Sequence, residues 1–248
     1  SPLTLPRRLV AHGDRIYVTL GYRACVSELD ATTGEKLRGF ADTETTDEFI
    51  ICDGVLVARK CVIPDGQRPT VRRTQAKPKG SPRKAPGDAR LEFPDATLVA
   101  IDLESGDTLW KEPVGEMIPF SLAASTGKVC FLRVKDELDE LIAVDLRTGA
   151  QHWQTDVPHP LREFGAMGTS LAIANDKVIF VANGVNAYAL SDGRKLWRKA
   201  GSIPKSFRGL PDLMIANNAV WAGVLATAGI DVDTGEMLPP PSASVRRR

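Results

Sequence analysis

This sequence is poor in the residues that do chemistry. Its three histidines, His12, His152 and His159, have no second His or Cys at metal-ligand spacing. Its four cysteines, Cys25, Cys52, Cys61 and Cys130, form no Cys-x-x-Cys pair, which excludes a zinc ribbon and a thioredoxin-type redox site. Cys52 and Cys130 fall in apolar runs and read as buried thiols acting as small hydrophobes. Export would permit a disulfide, but spacing does not say which cysteines would pair. No run of 18 apolar residues is present, so no transmembrane helix is expected. A Gly-x-Ser-x-Gly elbow, a phosphate loop and a Gly-x-Gly-x-x-Gly turn are all missing. The net charge of +1 provides no whole-chain field to attract nucleic acid or anionic membrane. No catalytic, cofactor-binding or metal-binding residue is nominated. The first residues, Ser1 to Pro6, lack an initiator Met and an apolar leader core, so the chain is expected to be a processed product or a piece of something longer.

What is present is repetition. Ala100-Ile-Asp102-Leu-Glu-Ser-Gly106-Asp-Thr-Leu-Trp110 returns as Ala143-Val-Asp145-Leu-Arg-Thr-Gly149-Ala-Gln-His-Trp153. A third copy, Ala187 to Trp197 around Gly193, has Ala189 in the Asp position. Weaker copies run Asp30 to Gly34 and Asp231 to Gly235; Arg38 and Pro239 stand where the Trp would be. The turn glycines are spaced by 72, 43, 44 and 42 residues, a period that suits propeller blades of about 40–50 residues. Before each turn come two short apolar runs separated by His12-Gly13-Asp14, Asp53-Gly54, Ser125-Thr126-Gly127, Asn175-Asp176 or Asn217-Asn218. Alternating runs bounded by such residues are hairpin-linked strands. The expected fold is all-β: a propeller of four-stranded antiparallel blades, about five visible, forming an incomplete arc of a larger propeller. The blades fall near 7–40, 46–111, 118–155, 168–199 and 210–238, within a repeat domain spanning 1–238.

The residue types explain the phrase. The Gly leaves the turn with φ > 0. The Asp side chain accepts hydrogen bonds from turn N–H groups. The Trp, four residues on, covers a neighbouring blade's turn and needs a polar partner for its N–H. Asp30, Gly34, Asp102, Gly106, Trp110, Asp145, Gly149, Trp153, Gly193, Trp197, Asp231 and Gly235 are therefore read as structural. Asp136 to Glu140 carries four acids and reads as a solvated hairpin tip, since a Ca²⁺ site needs several converging oxygens.

One spacing is long. The excess maps to 64–94 inside the second repeat, where residues 64–90 hold eight basic and two acidic residues and little apolar surface. A mobile, solvated loop is expected, open to weak charge-driven contact through 68–90. It has no aromatics to stack bases, so sequence-specific nucleic-acid binding is not expected. Residues 239–248 read as a disordered tail.

The phrase Ala-x-Asp-x-x-x-Gly-x-x-x-Trp resembles the tryptophan-docking motif of PQQ-like β-propeller repeats, found in quinoprotein alcohol dehydrogenases and in outer-membrane assembly lipoproteins. The resemblance implies either a non-catalytic platform for a protein partner or ligand within a larger protein, or a fragment of a PQQ-dependent oxidoreductase. It also implies a periplasmic or exported location. The dehydrogenases hold the quinone between a Trp and a disulfide of adjacent cysteines, beside Ca²⁺. No two cysteines are adjacent here, so PQQ with calcium is not expected; a protein partner or further blades are.

Overall fold

The computed structural model describes residues 9–21, 23–61, 72–73, 91–92, 94–135, 138–158, 169–182, 184–200, 213–222 and 229–239. Blade one is β1 (Leu9–His12), β2 (Arg15–Thr19), β3 (Val26–Asp30) and β4 (Lys36–Gly39), paired in sequence order. A single 3₁₀ turn, Ala41–Thr43, leads to blade two. That blade has β5 (Thr46–Cys52), β6 (Val55–Cys61), β9 (Asp95–Asp102) and β10 (Thr108–Glu116), in the order β10-β9-β6-β5. Between β6 and β9, β7 (Arg72–Arg73) pairs antiparallel with β8 (Leu91–Glu92). The rest of the expected loop up to residue 93 lies outside the described residues, as do residues 240–248 of the expected tail.

Blade three is β11 (Ala123–Ser125), β12 (Lys128–Arg133), β13 (Asp139–Asp145) and β14 (Gln151–Val157). Blade four is β15 (Leu171–Ala174), β16 (Lys177–Val181), β17 (Val185–Ala189) and β18 (Lys195–Lys199). Blade five has β19 (Leu213–Ala216), β20 (Ala219–Ala222) and β21 (Ile230–Asp231), and its fourth position is reduced to one bridge between Ile230 and Met237. The first strands β1, β5, β11, β15 and β19 follow one another as neighbours, so the sheets form an open propeller arc.

Local chemistry sets the hairpins. Asp53-Gly54, Thr126-Gly127, Asn175-Asp176 and Asn217-Asn218 all have positive φ at both positions, the two-residue type I′ turn whose twist matches the flanking strands. Alternation then sends successive side chains to opposite faces. On β6, Leu56 and Ala58 join the core against blade one, whereas Val55 and Val57 join the core against blade three. On β16, Val178 and Phe180 face blade three, and Ile179 and Val181 face blade five. Each internal blade is apolar on both faces because each face meets another blade, and the cores lie between blades rather than within one.

Two expectations need correction. Of the expected acidic tip, Asp136 and Glu137 lie outside the described residues, whereas Asp139 and Glu140 are not solvated: both open β13 and are buried, Glu140 against Arg133 and Lys135. Cys52 is only half-buried, since it ends β5 beside the exposed Asp53-Gly54 turn.

Phe180 is fully buried between blades three and four, so Phe180→Ala should cost about 3–5 kcal/mol through lost transfer energy and a residual cavity. Leu9→Ala, at a side chain 66% exposed, should stay within about 0.5 kcal/mol. Urea unfolding at constant slope reads both.

Candidate functional site

Asp30 Oδ1 accepts hydrogen bonds from the N–H groups of Thr32 and Thr33 at 2.9 and 2.8 Å. Asp102 does the same for Glu104 and Ser105, Asp145 for Arg147 and Thr148, and Asp231 for Asp233 and Thr234. These donors favour the charged form, and each carboxyl titrates below the ordinary 3.8 with a turn N–H bond as the largest cause. In blade four, where Ala189 replaces the Asp, the turn keeps the backbone bond of the other copies, Gly193 N–H to Ala189 O at 2.9 Å, and Asp192 Oδ1 accepts from Arg194 N–H at 3.0 Å.

The residue after the Asp position links three elements. Its N–H donates to the inner hairpin turn of its own blade, as Leu103 to Gly54, Leu146 to Gly127, Leu190 to Asp176 and Val232 to Asn218. Its carbonyl accepts a side chain from the preceding blade. Trp110 Nε1 donates to Leu146 O at 2.9 Å, Trp153 to Leu190 O at 3.0 Å and Trp197 to Val232 O at 3.1 Å. Each indole lies flat on the turn Gly: a Cβ there would come within 2.9 Å of Trp110 at Gly149, 2.5 Å of Trp153 at Gly193 and 2.7 Å of Trp197 at Gly235. Positive φ and this close approach together require Gly.

A β-bulge aims each of these side chains. The register slips between Thr108 and Trp110, and at Ala143/Val144 and Ala187/Tyr188 opposite the other two Trp residues. A bulge adds a residue and turns the next side chain. Each Trp sits opposite a small residue, Ala100, Ala143 or Ala187, which accounts for the Ala in the phrase.

Blade one makes the same connection with different chemistry, which the sequence pattern alone did not disclose. Arg38 follows a register slip at Glu28/Leu29 and donates to Leu103 O and, at 3.3 Å, to Glu104 O. A Cβ on Gly106 would meet its Nη1 at 3.4 Å. Opposite it stands Glu28 rather than Ala, buried and ion-paired to Arg38 and Arg15. The signal was a paired exchange: Ala with Trp in the central copies, Glu28 with Arg38 here.

The opposite ends of the strands carry buried charge, unanticipated but foreshadowed by charged residues inside apolar strands. Arg59 is fully buried; it pairs with Asp47 and donates to Cys61 Sγ and Met117 O, both at 3.1 Å. Burial opposes its charge, yet Asp47 and its other anionic neighbours raise its pKa. Glu48 reaches into the entry of blade three, accepting from Phe120 N–H at 2.8 Å and Leu122 N–H at 3.2 Å. Glu140 accepts from Arg133 at 2.6 Å and Lys135 at 2.8 Å; burial alone would raise its carboxyl, but these bonds hold it below the usual range. Burial pushes the thiols of Cys61 and Cys130 up to about 12 and that of Cys52 up to about 11, so none is a thiolate nucleophile near neutrality.

His12 ends β1 in an exposed position, and His152 Nε2 lies 3.6 Å from Asp145 Oδ2 on the outer strand. His159 falls outside the described residues. Asp233 is held by Lys177 at 2.7 Å and Asn218 at 3.1 Å, joining blades four and five. Among the described residues no three His, Cys, Asp or Glu side chains converge as a metal site, and no helix is long and apolar enough to cross a membrane. Chemically, the arrangement neutralises buried charge and ties blades together.

A family model described as outer membrane protein assembly factor BamB matches residues 94–238, more than half of the chain. No curated protein sequence matches significantly. Among solved structures, the computationally designed Ika8 protein superposes with a TM-score of 0.58 at 15% identity, over 97% of this chain and 62% of that one. Quinohemoprotein alcohol dehydrogenases are similar in fold. The Comamonas testosteroni enzyme gives 0.55 at 12% identity, over 97% of this chain and 44% of that one. An enzyme from Pseudomonas putida HK5 gives 0.54 at 14% identity, over 94% and 41%. The chain thus spans less than two thirds of the length of each of these proteins.

Arg38→Trp alone should destabilise, because buried Glu28 loses one of its two arginine partners, keeping only Arg15, and fills the space that Ala provides elsewhere; about 1–3 kcal/mol is expected. Glu28→Ala with Arg38→Trp should recover most of that loss in urea unfolding. The turn carboxylates have depressed folded pKa values, so their contribution is complete above the unfolded value and disappears as pH falls through the folded one. Wild-type stability should therefore drop as pH decreases below about 4, and less steeply in Asp145→Asn, whose amide keeps the acceptor without titrating.

Proposed function

The chain belongs to the family of outer membrane protein assembly factor BamB, and from that premise we propose that it is a non-catalytic propeller that serves as a platform for a polypeptide partner within a larger propeller. The observation that carries this reading is the use made of buried charge. Arg59, Glu48, Glu140 and Glu28 are each engaged by an opposite charge or a backbone N–H: Glu48 and Arg59 reach across to the entry of blade three, and Glu140 and Glu28 pair with arginines of their own blades. Groups held in this way stiffen a scaffold; a general acid or base must instead reach a substrate proton.

The family name supports a protein partner and an exported location near an outer membrane. The Trp and Arg side chains seated on successive turns act as docking devices that keep the arc rigid, and a rigid arc presents a partner with a pre-organised surface. The basic stretch 68–90 adds a weak, salt-sensitive contact to an acidic partner.

The residues do not fit the quinone. Cys25, Cys52, Cys61 and Cys130 are free and none adjoins another in sequence. The indoles of Trp110, Trp153 and Trp197 are covered by turn glycines rather than open to a planar ligand.

Titration with PQQ and Ca²⁺ should leave the quinone spectrum unchanged, with no dye-linked oxidation of alcohols. A stoichiometric spectral shift with turnover would replace the platform by an oxidoreductase fragment. Deleting residues 66–90 should weaken capture of an acidic polypeptide at low salt by several-fold and leave the unfolding midpoint unchanged.

A further inference from the structure

The turns of blades two to five are each capped by a side chain from the blade before: Arg38 on Gly106, Trp110 on Gly149, Trp153 on Gly193 and Trp197 on Gly235. The turn of blade one has the same construction. Asp30 Oδ1 accepts from Thr32 and Thr33, Gly34 has φ +72°, and Ala31 N–H donates to the inner hairpin at Asp14 O. Yet a Cβ on Gly34 would have nothing within 4 Å among the described residues. Glycine is demanded at this position by backbone alone in the described structure, whereas its counterparts also face an indole or a guanidinium.

The sheet face beside this turn agrees. In blades two, three and four, the face turned toward the preceding blade is closed: Leu56, Val129 and Val178 are fully buried. Register places Ile16 of blade one at the same position, two residues after the hairpin turn, and Ile16 is only half-buried. Leu9, on the same flank, is 66% exposed.

We infer that the Asp30–Gly34 turn is a receptor for a further blade of this repeat, belonging to the same complete polypeptide, which seats a Trp or Arg four residues past its own turn Gly on Gly34 and donates to the Ala31 carbonyl. This rests on the larger-propeller part of the reading above and specifies its contact. Four internal examples define the chemistry of the occupant: a planar side chain with an N–H at its edge. A second copy of the chain does not meet the requirement. Trp110, Trp153 and Trp197 are already seated, Trp221 is on the second strand of its blade, and the docking position of blade five is Pro239, which has no such donor. The solved proteins that share the fold carry the rest of their length, beyond the part matched here, in a single chain.

Gly34→Ala, Gly13→Ala and Gly149→Ala, placed in the 248-residue chain and in the product of its complete reading frame, test the inference through urea midpoints. In the 248-residue chain Gly34→Ala should shift the midpoint no more than Gly13→Ala, which also has positive φ and open space, while Gly149→Ala should shift it at least twice as far. In the complete polypeptide Gly34→Ala should move into the range of Gly149→Ala. An equally small shift in both backgrounds overturns the inference, as does a reading frame with no further repeat. Self-association of the 248-residue chain that Gly34→Ala abolishes in light scattering would make a second copy the occupant instead. The PQQ titration is indifferent to all of these outcomes, so failure of the receptor and failure of the platform reading remain separable.

Discussion

The arc depends on one contact: a planar donor from one blade lying on the turn glycine of the next and hydrogen-bonding the carbonyl beside it. A single antiparallel sheet of four short strands has two faces to cover, and its side chains cannot cover both from within. Neighbouring blades supply the apolar cover, but apolar packing alone is non-directional. The N–H of Trp110, Trp153 or Trp197 adds direction, because its acceptor is a carbonyl whose own residue is hydrogen-bonded to the inner hairpin. Inner turn, outer turn and preceding blade are thereby fixed by the backbone N–H and C=O of one residue.

That constraint explains much of the surrounding sequence. The Asp shapes the turn that presents the carbonyl. The Gly lets the ring approach. The bulge before the Trp turns it out of its own sheet, and the Ala opposite leaves room for it. Where the donor changes to Arg38, the opposite residue changes to Glu28, since a guanidinium needs an anion where an indole needs space. At the other end of the strands the seams are polar: Glu48 holds two N–H groups of the next blade's entry and Arg59 pairs with Asp47. Buried charge of this kind is costly to break and fixes the geometry of the seams.

Much of the fold was legible because its period is long and its turns are chemically specific. Asn175-Asp176 and Asn217-Asn218 are hairpin turns wherever they occur between alternating runs, because these residues tolerate positive φ at low cost. The site was less legible. Asp139 and Glu140 looked like part of a solvated acidic tip because sequence shows composition but not where a strand begins, and both belong to β13. Arg38 looked like a lost Trp because a pattern of residue names does not register that both side chains are flat and donate from the edge.

The sequence by itself determined the repeat, the strand alternation and the hairpin turns, since these follow from local stereochemistry. Only the tertiary structure decided which blade Trp110, Trp153 and Trp197 serve, that Arg38 serves in the same way, and that among the described residues Gly34 alone of the five turn glycines stands uncovered. Those facts depend on distances between residues some 35 to 65 positions apart in the chain. Such distances are set by the stacking of whole blades, and no local segment encodes them.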